Sequence, residues 1–258
     1  MSDRPPLALV TGASTGIGLE LSRRLAQAGH EVLMVADERE VEAAARTLGP
    51  GARALQADLA TQDGVENLLA LLDADGRVPA VVALNAAVGL GGRFVDSDLQ
   101  KQLRLVRLDV ESTVQLAHVV LRQMVAVGAG GLLITSSVAS QMPGPLNSTY
   151  AASKSFVQSF GRALRGELGG TGVRVTVVLP GPTDTAFFRR AGMERTRLAR
   201  GRKDDPAVVA RQALDALEAG RPQVVAGARR NRRQVVLARL LPDGARATLH
   251  RRLDREVV

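Results

Sequence analysis

The chain has 258 residues, 45% of them apolar, with a net charge of +8, three histidines and no cysteine. Length and apolar content suit one large α/β domain, while the lack of thiols excludes a disulfide framework or thiolate metal site and three scattered histidines argue against zinc. Residues 1–6 lead into an apolar run too short for a signal peptide, and no later stretch approaches about 20 uninterrupted apolar residues, so a cytoplasmic protein without a metal is expected.

Leu7 to Val10 predicts a short buried strand, followed by a turn containing Gly12, Ser14, Thr15, Gly16, Ile17 and Gly18 and then a helical period through Leu21, Leu25 and Ala28. Glycines let a backbone turn tightly and approach a pyrophosphate, and the N–H groups opening the helix favour an anion. The spacing G-x-x-x-G-x-G departs from the G-x-G-x-x-G fingerprint, and a plain strand-to-helix connection would read the same way. Glu31 to Ala36 predicts a second buried strand with Asp37 just past its end. A carboxylate about 20 residues beyond the glycines can bind an adenosine ribose and repel a 2′-phosphate, so NAD(H) is preferred, with NADP(H) left open by the neighbouring Arg39. Asp37 could equally cap a helix over Glu38 to Leu48.

The alternation continues with a strand from Ala52 to Ala57 ending at Asp58, a helix from Gln62 to Leu72, and a strand from Ala80 to Leu84 ending at Asn85, Ala86 and Ala87. It predicts a Rossmann-like doubly wound parallel sheet of about seven strands with helices on both faces. Asp58 and Asn85 fall where such sheets place ligands, although either could satisfy loop backbone groups instead. One long helix is expected from Ser97 to Val127, with Asp109 near its middle. A strand from Gly131 to Thr135 leads to Ser136 and Ser137. The following helix, Thr149 to Leu168, carries Tyr150, the single tyrosine of the chain, and Lys154 four positions on. At that spacing the phenol and the ammonium project from one helix face, as an exposed surface pair also would.

Val173 to Leu179 predicts a further strand, ending in the loop that contains Pro180, Gly181, Thr183 and Thr185. Residues 186–204 lack a period and read as a lid or an ordinary connection. Asp205 and Pro206 start a helix that Gly220 stops, and Gln223 to Ala226 forms a last strand. The catalytic domain is thus read as 1–228, and 229–258 as its basic, helical extension. Arg229, Arg230, Arg232, Arg233, Arg239, Arg246, Arg251, Arg252 and Arg255 stand there against Asp243, Asp254 and Glu256. With no tryptophan and one tyrosine, stacking on bases has little to work with, so a solvated basic face is favoured over nucleic-acid or membrane-surface contact.

Taken together, these motifs resemble the short-chain dehydrogenase/reductase family over about residues 7–226. The turn from Thr11 to Gly18 looks like that family's cofactor loop; Asp58 and Leu59 match its adenine-contacting position; Asn85-Ala86-Ala87 is similar to its N-A-G turn with the last glycine replaced. Ser137 and the pair Tyr150 and Lys154 match the catalytic residues, and the loop from Pro180 to Thr185 is similar to the one that holds the nicotinamide carboxamide. Where the family usually has asparagine as a fourth catalytic member, this chain has Asp109. The resemblance implies hydride transfer between a nicotinamide cofactor and a secondary alcohol or ketone, with Tyr150 as acid/base. Ser137 would bind the substrate oxygen, and Lys154 would also bind the nicotinamide ribose. A homodimer or homotetramer built on the helices of 97–127 and 149–168 is implied as well.

A tyrosine of ordinary pKa near 10 is a poor base near neutrality, whereas an ammonium about 5 Å away favours tyrosinate by roughly 3 kcal/mol, about two pKa units. An ionised Asp109 would offset part of that field. A dinucleotide-binding regulatory or scaffold protein with weakened catalysis is the alternative. Val88, Leu90, Phe94, Met142, Phe187, Phe188 and Met193 make up an expected apolar pocket for a small carbonyl or alcohol substrate.

Overall fold

Strands buried on both faces read as unbroken apolar runs, and the first two are almost entirely enclosed. In the computed structural model, which describes residues 4–254, β1 (Leu7–Thr11) pairs in parallel with β2 (Glu31–Ala36) on one side and β4 (Val81–Leu84) on the other. The remaining strands are β3 (Ala52–Gln56), β5 (Gly130–Thr135), β6 (Val173–Pro180) and β7 (Gln223–Ala226). All seven pair in parallel in the order β3-β2-β1-β4-β5-β6-β7. The doubly wound sheet of seven strands is as the alternation predicts. Its order reverses between β1 and β4, the place where such sheets open a crevice at their C-terminal edge.

Alternation along each strand separates two cores. Leu7, Leu9, Leu33, Val82 and Ile134 face α3 (Gln62–Asp75), α5 (Ser112–Val127) and α6 (Ser148–Glu167). Ala8, Val10, Met34, Ala83 and Leu133 face α1 (Gly16–Gln27), α2 (Glu40–Leu48) and α9 (Pro206–Glu218). Starts follow the expected chemistry: Thr61 accepts the Gly64 N–H at the head of α3, and Asp205 accepts the Ala207 N–H ahead of Pro206. Gly161 lets α6 lie against β6, because a Cβ there would come within 2.6 Å of Val177 Cγ2.

The single helix expected over 97–127 is instead three pieces: α4 (Leu99–Val106), a wider π turn at Arg107–Glu111, and α5. Such turns are frequent at functional sites, and this one contains Asp109. The segment after β6 holds two short helices, α7 (Phe187–Arg190) and α8 (Arg197–Arg200). The basic segment forms α10 (Arg229–Leu240) and α11 (Asp243–Asp254). Arg255 and Glu256 of that segment lie outside the described residues, as does the side chain of Arg239. No helix among the described residues is long and apolar enough to cross a membrane.

Candidate active site

One cavity opens at the C-terminal edge of the sheet. Its lining includes the glycine turn, the ends of β4, β5 and β6, the head of α6, the lid and the C-terminal helices. Among the sequence-predicted residues, Gly12, Thr15, Gly16, Ile17, Asn85, Ala86, Ser137, Tyr150, Lys154, Pro180, Gly181, Thr183 and Thr185 all line it.

The glycine turn opens α1, and two of its glycines have positive φ, 65° at Gly12 and 59° at Gly16. A Cβ on Gly16 would also come within 2.6 Å of Thr185 Cγ2, so the glycine turn and the loop after β6 meet there. Asn85 braces the strand ends: its Nδ2 donates to the Thr11 carbonyl at 3.2 Å, and its Oδ1 accepts from Thr135 Oγ1 at 3.2 Å. Gly18 and Ser14 sit behind the turn. A Cβ on Gly18 would clash with the Gly12 carbonyl, while Ser14 Oγ donates to Glu38 at 3.0 Å.

Asp37 and Asp58 lie beyond the cavity rim and share one cation. Arg104 places Nη1 2.5 Å from Asp58 Oδ2 and Nη2 3.3 Å from Asp37 Oδ2. Burial works to raise the Asp58 pKa, but the Arg104 hydrogen bond and the Ala60 N–H outweigh it and hold the carboxyl below its ordinary value. Asp37 does not cap α2, whose N-cap is Arg39. Leu59 is buried in the core beside α3.

On the opposite wall, Tyr150 and Lys154 project together from the first turns of α6, with Lys154 Nζ 5.6 Å from the centre of the phenol ring. The ammonium donates to the Thr135 carbonyl at 3.2 Å and lies 3.3 Å from Asp109 Oδ2. Asp109 accepts the Val88 N–H through Oδ1 at 2.9 Å and the Ser153 hydroxyl through Oδ2 at 3.2 Å. Burial pushes the Asp109 pKa up, opposed by Lys154 and these two donors. The Tyr150 pKa is also pushed upward, first by burial and then by the charges of Asp109 and Asp254, with a hydrogen bond to Ser137 acting the other way. The upward shift runs against the simple expectation of a lysine-lowered phenol: burial favours the uncharged phenol, and the Asp109 carboxylate beside Lys154 acts in the same sense.

The lid covers the outer part of the cavity. Phe187 packs on Tyr150 with ring centres 5.2 Å apart, and Phe188 meets Phe187 edge-on at 5.6 Å. Gly89 and Gly91 leave room for it, since a Cβ on either would come within 2.5 Å of Phe187 or Met193. Val88, Met142, Phe187, Phe188 and Met193 line the cavity; Leu90 and Phe94 do not, and Phe94 is 55% exposed. Asp204, at the far end of the lid, accepts from Asn231 and Arg230 of α10, and Gln234, His250, Leu253 and Asp254 of the C-terminal segment enter the lining. The sequence reading missed these residues and Asn147. In an arginine-rich helix, a polar residue turned inward has the same local pattern as one in water.

The glycine turn offers N–H groups at a helix start, the sheet edge offers a crevice, and Tyr150 and Lys154 face it. That arrangement fits a dinucleotide. No group of side chains able to hold a metal ion occurs among the described residues.

Comparison with known proteins agrees with this geometry. The short chain dehydrogenase family model matches residues 6–195. Sulfoacetaldehyde reductase 2 of Chromohalobacter salexigens is 35% identical over 193 residues, which make up 72% of this chain and 75% of that protein. Among solved structures, a short-chain dehydrogenase from Sphingobium yanoikuyae in complex with NADPH is 30% identical, with a TM-score of 0.81 over 95% of this chain and 94% of that one. The bulky-bulky ketone specific alcohol dehydrogenase from Comamonas testosteroni is 27% identical, with a TM-score of 0.76 over 91% and 92%.

Proposed function

The chain belongs to the short-chain dehydrogenase family of oxidoreductases, and on that premise we propose that it reduces a ketone to a secondary alcohol with a nicotinamide cofactor, Tyr150 supplying the proton. The observation that carries this reading is the convergence of Ser137, Tyr150 and Lys154 on the wall of the cavity facing the glycine turn. When bound, the cofactor supplies the hydride.

This chain's residues would do the rest. Gly12, Thr15, Gly16 and Ile17 would carry the pyrophosphate, with Ser14 and Gly18 shaping the turn behind them, and Asp37 would hold the adenosine ribose. Asp58 would border the adenine with Leu59 packed in the core behind it, and Asn85, which ties the ends of β1 and β5 to that of β4, would fix the crevice with Ala86 on its wall. Pro180, Gly181, Thr183 and Thr185 would hold the carboxamide, and Lys154 the nicotinamide ribose. Ser137 would bind the substrate oxygen, and Tyr150 would give up its proton as the carbonyl becomes an alkoxide. Burial holds the Tyr150 phenol in its protonated form, the form that donates to a carbonyl. Phe187, Phe188, Met142 and Met193 would exclude water. The names of the Chromohalobacter and Comamonas relatives support a carbonyl substrate.

Asp37 supports NAD(H), although Arg104 offsets part of its charge and the Sphingobium relative was solved with NADPH. Exposed Leu99, Leu103 and Val106 on α4 and Phe156 on α6 support a homo-oligomer built on those helices. Titration of NADH and NADPH, combined with cofactor oxidation on a panel of ketones, tests the proposal. Wild type should bind and turn over, while Tyr150→Phe should bind equally and lose at least about 100-fold in kcat. Binding without turnover on every ketone would favour a dinucleotide-binding scaffold.

A further inference from the structure

We propose that Asn147, His250 and Asp254 form a recognition site inside the catalytic cavity for a protonated amine carried by the substrate, so that the substrate is an amino ketone with an apolar body. The inference rests on the ketone-reductase reading of the same cavity. All three residues line that cavity alongside Tyr150.

The buried acceptors there lack donors. Both carboxylate oxygens of Asp254 and the Asn147 Oδ1 are buried without a hydrogen-bond partner, and the Asp254 side chain is 1% exposed. Native proteins seldom leave such groups unpaired, because removing a charge from water is costly unless something supplies hydrogen bonds. His250, one helical turn earlier on α11, places Nδ1 3.1 Å from Asp254 Oδ2 but out of hydrogen-bond alignment. The imidazole therefore props the carboxylate without satisfying it. The other cations lining the cavity are already engaged, Lys154 by Asp109 and Arg190 by Glu38.

Asn147 carries a parallel signal. It occupies the N-cap of α6, where asparagine ordinarily accepts a backbone N–H, yet its side chain makes no capping bond. Leu146 before it has φ 71°, the one left-handed non-glycine conformation among the described residues. Backbone strain of this kind gathers at ligand sites, and here it belongs to the loop that carries the idle Asn147 carbonyl. Gly144 brings the two segments together: a Cβ there would lie 3.3 Å from the main-chain oxygen of Asn147 and 3.4 Å from His250 Cε1.

An ammonium has three N–H donors and a positive charge, which matches Asn147 Oδ1 together with the two oxygens of Asp254. A hydroxyl offers one donor, and an anion would be repelled. Asp254 is close enough to Tyr150 for its charge to be felt at the phenol, so the amine would sit near the reacting carbonyl. Met142, Phe187, Phe188, Met193 and Leu253 leave the remainder of the cavity apolar.

Binding of n-hexylamine, n-hexanol and hexanesulfonate to the full-length, NADH-loaded protein at pH 7 tests this by calorimetry. The amine should bind at least about tenfold more tightly than the alcohol, and the sulfonate most weakly, with the amine preference lost in Asp254→Asn and reduced in Asn147→Ala. Equal or tighter binding of hexanol or hexanesulfonate by wild type would overturn the proposal, as would an amine preference that survives in folded Asp254→Asn. The wild-type comparison stands even if a variant fails to fold. Because the readout is binding, an enzyme inactive on every ketone still gives a result here, and a failed amine preference leaves the reductase reading untouched.

Discussion

Lys154 Nζ lies 3.3 Å from Asp109 Oδ2, and both side chains are closed off from solvent. The ammonium expected to acidify Tyr150 is thus held by a carboxylate whose charge acts on the phenol in the opposite sense. Removing that charge should lower the Tyr150 pKa. Alcohol oxidation needs the tyrosinate, so in Asp109→Asn the rising limb of its pH profile should move to lower pH and turnover at neutral pH should be equal or higher. The amide can still accept the Val88 N–H, but Lys154 loses its counter-charge, and a cost of about 3 kcal/mol in stability is expected. A limb that does not move, or a loss of more than about tenfold in kcat, would remove Asp109 from this role.

Asp37 stands at the end of β2 with its side chain 49% exposed, 3.3 Å from Arg104. A 2′-phosphate beside it would meet a like charge, softened by water and by the guanidinium. Asp37→Ser should therefore shift the ratio of kcat/KM toward NADPH over NADH by about tenfold, and Arg104→Ala should shift it toward NADH. Steady-state kinetics with both cofactors on one ketone reads the ratio. An unchanged ratio in both variants would place cofactor choice elsewhere.

Most strands were legible because they are short, largely apolar runs ended by glycine, proline or a polar ligand-side residue, and the Tyr150–Lys154 spacing needs only the geometry of a helix. The π turn at Asp109 was not, since the apolar period from Leu99 to Val127 runs through it with no glycine or proline to mark it. His250 and Asp254 were hidden for a different reason. They are spaced as an ordinary surface pair, and what turns them inward is the packing of α11 against α8 of the lid, a contact between segments about 50 residues apart in the chain. Asn147 looked like a cap residue and is one by position, but not by hydrogen bonding.

Arg190 on the lid lies 2.5 Å from Glu38 Oε1, and Ser14 of the glycine turn donates to Oε2 of the same carboxylate at 3.0 Å. This contact ties the lid to the loop after β2, across the mouth of the cofactor crevice. The guanidinium side chain is 42% exposed, so the pair should be worth up to about 1 kcal/mol. Arg190→Ala should accordingly speed NADH release by about three- to fivefold, and Glu38→Gln should act in the same direction without adding to it. Stopped-flow displacement of NADH measures both rates; additive effects would mean that the two residues act separately.

At the end of the sheet away from the cavity, Asp75 accepts from Arg77 Nε at 2.6 Å and Arg53 Nη2 at 2.5 Å, and Glu31 lies 2.8 Å from Arg53 Nε and 3.0 Å from Arg77 Nη2. The Asp75 side chain is 3% exposed. Hydrogen bonding from Arg77 is the largest influence on both carboxyls and holds each below its ordinary pKa, against the opposing effect of burial and with further help from Arg53. A carboxylate whose folded pKa lies below its unfolded value of about 4 stabilises the protein above that pH and loses the contribution as pH falls toward the folded pKa. Urea unfolding should therefore give a plateau from pH 8 to about pH 5 and a decline below it. Asp75→Asn should lose about 3 kcal/mol at neutral pH, because it leaves two arginines short of their shared anion, and should decline less steeply in acid. The two stability curves should then converge as pH falls. If they run parallel from pH 7 to pH 3, the acid sensitivity arises outside this cluster.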